Sequence, residues 1–331
     1  LNENIKVGNS HISGSEQDIR HYFGDNWNEK RPFNWEEEFP QIMKDGGFDI
    51  VIGNPPWVSL KGKYKSLDLS EQELQYLSDK FNVNTYAPNL YEIFIWRSLG
   101  LLKEGGLFSF IVPDRLAENQ QFLRLRECIL SNFTIERLFF RVPFLGTIAD
   151  TMVFVIRKTN PKDSSIEIRD YPSQKATGVP QNTFLSSSDF SFFFVDPEIA
   201  KIFQKIKQNI EVKSLDTFAK STSGCGAKSS LLHKERVNDK EIRVVKGESI
   251  GQYENKGFFW FEFSDENLTG RTRDAGKLGV KEKVLIRKTG VDIIATFDDS
   301  GVYPEQSLYF LYGANRDTLL YLLAPLNSKL I

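Results

Sequence analysis

The sequence predicts an α/β domain followed by a smaller, β-rich domain of the α+β kind. Three observations carry this. Strand-like and helix-like stretches alternate up to about residue 158, the composition then shifts to Ser, Pro, Thr, Asn and Gln, and short strands with many turns follow. The expected boundaries are 1–160 for the first domain, 161–195 for a connection and 196–331 for the second domain, which looks truncated at its C-terminal end.

Taken in order, "FDIVIG" at Phe48 reads as a strand buried on both faces. "LYEIFIWRSLGLLKEGG" has helical spacing from Leu90, with Gly105-Gly106 as its stop. "LFSFIVP" is the next buried strand, and "QQFLRLRECILSN" is an amphipathic helix. "TIERLFF" and "TMVFVIRK" close the series as strands. The alternation implies a mostly parallel sheet covered on both faces. The last two strands are joined by a short link without a helix, so an antiparallel pair there would make the sheet mixed. "DPEIAKIFQKIKQNI" is a helix opening the second domain, before "EIRVVKG", "GFFWFEF", "KVLIRKTG", "VDIIATFDD" and "SLYFLYG".

Composition narrows the function. The chain has 331 residues, 40% of them hydrophobic, and no apolar run long enough to span a membrane. Two cysteines, Cys128 and Cys225, make no disulfide framework and fit a reducing cytosol. Three scattered histidines give no zinc spacing, so no metal is expected. A net charge of −2 means that any nucleic-acid contact must be local. A first residue Leu1 and an uncapped apolar end, "YLLAPLNSKLI", suggest a piece of a larger protein.

The chemistry is concentrated at Asn54-Pro55-Pro56-Trp57, the end of the first apolar strand. Ligands of open α/β sheets bind beyond the carboxyl ends of the strands. Two prolines make a rigid corner without N–H groups, leaving carbonyl acceptors, and Asn54 adds a side-chain acceptor and donor. Trp57 adds a flat π surface. Such a tip suits a planar group bearing an NH₂. With its two hydrogens held by the Asn54 side chain and the Pro55 carbonyl, a conjugated amine becomes more tetrahedral and its lone pair can meet an electrophilic methyl.

At these residues the sequence resembles amino-methyltransferases that use S-adenosylmethionine. "DIVIGNPPW" is similar to their [NDS]-P-P-[YFW] motif. The wider likeness is to gamma-class adenine-N6 DNA methyltransferases of restriction–modification systems, including type IIG fusions. "NIKVGNSHI", "FNWEEEFPQIMKDGGFD", "EGGLFSFIVPDRLAE", "FLGTIADTMVFVIRK" and "KVLIRKTGVDIIATFDD" resemble further blocks in the family's order.

The resemblance implies a partial class I, Rossmann-like methyltransferase sheet and a target-recognition domain. It further implies S-adenosylmethionine as cofactor, double-stranded DNA as partner and a bacterial or archaeal cytoplasm. Asn54, Pro55, Pro56 and Trp57 match the catalytic motif, Phe144 a second aromatic against the flipped base, and Asn9 a cofactor contact. Trp57 departs from the commoner Tyr. The glycine-rich D-P-x-C-G-S-G-type motif is absent, so the upstream half of the same polypeptide is an expected partner.

Basic residues beside these motifs are expected at phosphates and base edges: Lys61, Lys63 and Lys65 in "LKGKYK", and Arg271, Arg273, Lys277, Lys281, Arg287 and Lys288 in the second domain. With Lys283, that second stretch holds seven positive charges against two negative, a local +5. Solvated loops and faces would look the same in sequence. Two other functions stay open: a protein-glutamine or ribosomal-RNA methyltransferase, since a primary amide also presents an NH₂, and a DNA-specificity module without catalysis.

Overall fold

The computed structural model describes residues 4–328 except 61–68, 82, 84–87, 148, 162–163, 188, 197, 200, 203–204 and 206–212. The chain divides into two compact units, Leu1–Gln208 and Asn209–Ile331. Lys61, Lys63 and Lys65 fall outside the described residues, as does much of the helix expected after 196.

The first unit opens with α1 (Glu16–Phe23), α2 (Trp35–Glu38) and α3 (Pro40–Lys44) before β1 (Phe48–Gly53). Next come α4 (Glu71–Lys80), α5 (Leu90–Leu101) and β2 (Leu102–Pro113). α6 (Arg115–Glu118) and α7 (Leu123–Asn132) lead to β3 (Thr134–Phe140), β4 (Thr151–Arg157), β5 (Ser165–Asp170), β6 (Ala176–Pro180) and α8 (Gln181–Leu185).

The strands form one sheet in the order β1-β2-β4-β3-β5-β6. β1/β2 and β3/β5 are parallel, while β2/β4, β3/β4 and β5/β6 are antiparallel. The sheet is therefore mixed, with fewer parallel pairs than expected, because β3 and β4 are joined by a loop too short for a crossover helix. The stretch 161–195, expected as a connection with some edge structure, holds β5, β6 and α8. Ile166, Ile168, Phe184 and Phe192 are buried in the main core. Their polar neighbours gave the stretch the composition of a linker.

Gly105-Gly106 does not stop a helix but lies inside β2. A Cβ on Gly106 would come within 2.9 Å of the Phe48 carbonyl oxygen. This close approach accompanies the register shift between Phe48 and Ile50. β1 is likewise not buried on both faces. It is the outer strand, and Ile50 and Ile52 are 62% and 78% exposed while Val51 packs on the core.

α5 is apolar on several sides, as a helix buried between two layers should be. Tyr91, Ile95 and Leu99 join the sheet core, and Ile93 joins a smaller cluster with Ile12, Leu60, Tyr76, Leu77 and Phe81. α4 starts with a capping box, Ser70 and Glu73 each satisfying the other's backbone N–H.

The second unit has a four-stranded antiparallel sheet containing Lys220–Ser223, Lys283–Arg287, Ala295–Asp298 and Leu308–Tyr312. A three-stranded sheet holds Glu241–Val245, Phe259–Glu262 and Tyr303–Pro304. The helix Arg316–Leu326 lays Leu319, Leu322 and Leu323 on one core, while Val244, Val245, Phe261, Leu285 and Phe310 build another.

Candidate active site

β1, β2 and β3 point the same way, since β1 parallels β2 and both β2 and β3 oppose β4. Their carboxyl ends therefore share one end of the sheet. Asn54–Trp57 leaves β1 there, Asp114 follows β2, and the 141–150 loop joins β3 to β4. Asp114 and that loop are tied together, the Asp114 N–H donating to the Asp150 carbonyl at 3.1 Å.

Asn54 is exposed, Pro55 buried and Trp57 half-buried. No hydrogen bond engages the Asn54 side chain among the described residues. The chain turns at once: the Val58 N–H donates to the Pro56 carbonyl at 3.1 Å, and the Leu90 N–H to the Val58 carbonyl at 2.8 Å. The tip is thus bolted to the first turn of α5. The Trp57 indole N–H is buried without a partner among the described residues. Phe144, 38% exposed, sits with its ring centroid 5.2 Å from that of Trp57, the planes tilted by 47°. Two aromatics nearly ninety residues apart in sequence therefore meet beside Asn54.

The 141–150 loop has a fixed stem. Arg141, in the left-handed region at φ 53°, donates Nε and Nη2 to the two Asp170 carboxylate oxygens at 2.7 Å each. The guanidinium holds the Asp170 carboxyl down to about 2. Val142 and Thr151 close the stem, the Val142 N–H donating to the Thr151 carbonyl at 3.0 Å and the Thr151 hydroxyl to the Val142 carbonyl at 2.5 Å.

Sequence reasoning missed Glu92. It lies two residues beyond Leu90 on α5, is 1% exposed, and has the Trp96 indole one turn on as the polar group beside its carboxyl. Burial pushes its carboxyl up to about 8, so it is uncharged at neutral pH. A glutamate inside an apolar helix run, "LYEIFIW", was the signal available.

Asn9 accepts the His11 N–H through Oδ1 at 3.3 Å. With His11, Ile12, Leu69, Glu73, Leu77 and Leu90 it lines a cavity of about 130 Å³. His11 is buried, neither ring nitrogen is bonded among the described residues, and its ring lies 4.0 Å edge-on from Phe94. Burial and the neighbouring Arg97 push the imidazole down to about 4, leaving it neutral. A neutral imidazole and an amide offer donors and acceptors to a planar heterocycle, so these residues fit part of a nucleoside. The cavity is well below the ~300 Å³ from which ligand pockets usually start, so it can hold only part of a cofactor.

The basic stretch of the second unit separates into different roles. Lys283 is fully buried, 3.3 Å from Asp298. Arg287 is also withdrawn from the expected surface set: its Nε donates to the Gly247 carbonyl at 2.7 Å and its Nη2 to the Ile250 carbonyl, so the guanidinium ties strand to loop. Arg273 pairs with Asp265 at 2.8 Å and Lys277 with Asp274 at 3.4 Å, both in water. Lys281 is exposed. Arg271 is exposed in the left-handed region at φ 66°. Lys288 reaches Ser223 Oγ at 2.5 Å and stands 4.4 Å over the Tyr309 ring. Burial and then the Arg271 charge push its ammonium below the usual lysine range. Arg271 and Lys288 thus concentrate positive potential.

Two family models match this chain in succession, a restriction-modification methylase and then a specificity domain. Residues 2–141 match the Eco57I restriction-modification methylase family model, and residues 242–331 match the TaqI-like C-terminal specificity domain. It is 26% identical, over 91% of its length, to a type II restriction enzyme and methyltransferase of Methanocaldococcus jannaschii. It is 23% identical, over 80% of its length, to the type II restriction enzyme and methyltransferase RM.Eco57I of Escherichia coli. It spans 26% and 24% of those two proteins. Its fold is similar to that of the type IIL restriction-modification enzyme MmeI, with a TM-score of 0.55 at 12% identity, covering 89% of this chain and 44% of MmeI.

Proposed function

We propose that this chain carries the target-base tip and the sequence-recognition domain of an S-adenosylmethionine-dependent DNA methyltransferase that modifies the N6 amino group of adenine. The observation that carries the reading is the meeting of an exposed, unengaged Asn54 with the Trp57–Phe144 ring pair at the carboxyl end of β1.

Asn54 Oδ1 and the Pro55 carbonyl accept the two amino hydrogens, and Trp57 offers its face to the ring. S-adenosylmethionine, when bound, supplies the methyl on an electron-poor sulfonium, and Asn9 and His11 are the residues here that would hold part of it. As the C–N bond forms, positive charge grows on nitrogen beside two carbonyl dipoles, which stabilise it. The amine then loses a proton to water. A base lying between Trp57 and Phe144 needs about twice the ~3.4 Å stacking distance, so the Phe144 ring swings away from its present 5.2 Å. Flipping costs a few kcal/mol, and stacking returns ~1–3 kcal/mol per base.

In the second unit Arg271, Lys281 and Lys288 are the phosphate and base-edge contacts, with Arg273 and Lys277 able to exchange exposed carboxylate partners for phosphate. The outer edge of β1, with Ile50 and Ile52 in water, is the place for a further part of the complete polypeptide. Purified complete protein, given methyl-labelled cofactor and bacterial DNA, tests this. Label recovered as N6-methyladenine, and lost in Asn54→Ala, is expected. Label in cytosine, in protein or in RNA would overturn it.

A further inference from the structure

Leu145 is 99% exposed, at the tip of the loop whose previous residue, Phe144, touches Trp57. A single exposed leucine is ordinary on a protein surface. This one differs in three respects: it is almost wholly in water, it borders the candidate active site, and it stands on a stem fixed by hydrogen bonds. Arg141 grips Asp170, Val142 pairs with Thr151, and the Asp150 carbonyl accepts from the Asp114 N–H. Beyond Leu145 the chain reverses at Gly146, whose φ of 85° suits glycine. The fold thus holds an apolar side chain out on a braced arm.

We infer that Leu145 is a wedge that enters the duplex as the target nucleotide leaves its stack, holding open the space vacated. Proteins that kink or open a duplex insert Phe, Leu, Ile, Met or Pro between base steps, because an apolar group replaces lost stacking without demanding hydrogen bonds. Phe144 then meets the extruded base while its neighbour fills the gap, two roles on adjacent residues of one loop. Leu145 makes no contact with the reacting atoms and is a positioning residue. The inference rests on the duplex-DNA reading above.

The test uses the complete protein and two duplexes carrying its modified site, one fully paired and one with a mismatch opposite the target adenine. A mismatched base flips at lower cost. Leu145→Ala is expected to methylate the paired duplex at least tenfold more slowly than wild type, and the mismatched duplex within about twofold of wild type. Leu145→Met should restore the paired substrate. Equal rates for Leu145→Ala and wild type on the paired duplex, or an equal loss on both duplexes, would overturn the wedge. Failure of wild type on both duplexes would instead overturn the DNA-methyltransferase reading.

Discussion

Asn54 owes its exposure to the residues on either side of it. Gly53 ends β1 with Phe110 packed against its Cα face, Pro55 is buried as a hinge, and Val58 is pinned to Leu90. The amide is left standing where the strand ends. Asn54→Ala should lower methyl transfer by a hundredfold or more while DNA affinity, read by gel shift, stays within about threefold. Trp57→Phe keeps a stacking face and should retain most activity, whereas Trp57→Ala should lose it. This tetrad was legible because its residue types are unusual at a strand end. Glu92 and His11 were not, since a buried polar side chain looks in sequence like any charged position on a helix or loop. Glu92 gives a pH signature. Its carboxyl titrates near 8 when folded and near 4.5 when not, so the native state holds the extra proton between those values. Stability therefore falls as pH rises through that window, by at most ~1.4 kcal/mol per unit. Thermal melting of Glu92→Gln across pH 5–8 should show a flatter profile than wild type, and an equal slope would contradict the assignment.

Among the elements, the β3–β4 loop and the β1–β2 pair set the geometry. Asp170 is buried under Arg141, so Asp170→Asn should cost about 1–3 kcal/mol in denaturant unfolding. Its carboxyl is held low, so its contribution is present above about pH 4 and lost as pH falls through 2. Gly106 is the second lever: a methyl there meets the Phe48 and Lys103 carbonyls at 2.9 Å. Gly106→Ala should destabilise by more than ~1 kcal/mol and disturb the register that aims Asn54. The order of strands and helices up to residue 158 was readable from periodicity. The pairing was not, because parallel and antiparallel neighbours share the same apolar pattern. β5 and β6 were hidden by polar composition, although Ile166 and Ile168 alternate inward.

Across the whole molecule, the two compact units differ in element length and turn density, a change the sequence also carries. The position of the boundary at Gln208 was not legible, since the strands of an edge read as linker. The charge count of the second unit was legible, but not its sorting: Lys283 and Arg287 look like their neighbours in sequence and serve the fold instead.

The most direct measurement is single-molecule sequencing of genomic DNA from cells expressing the complete gene, beside its Asn54→Ala form. Methyladenine at one recurring sequence in the first and at none in the second is the expected result. Unmodified DNA from a well-expressed wild type, or a pattern unchanged by Asn54→Ala, would contradict the claim that this tip transfers methyl groups to DNA.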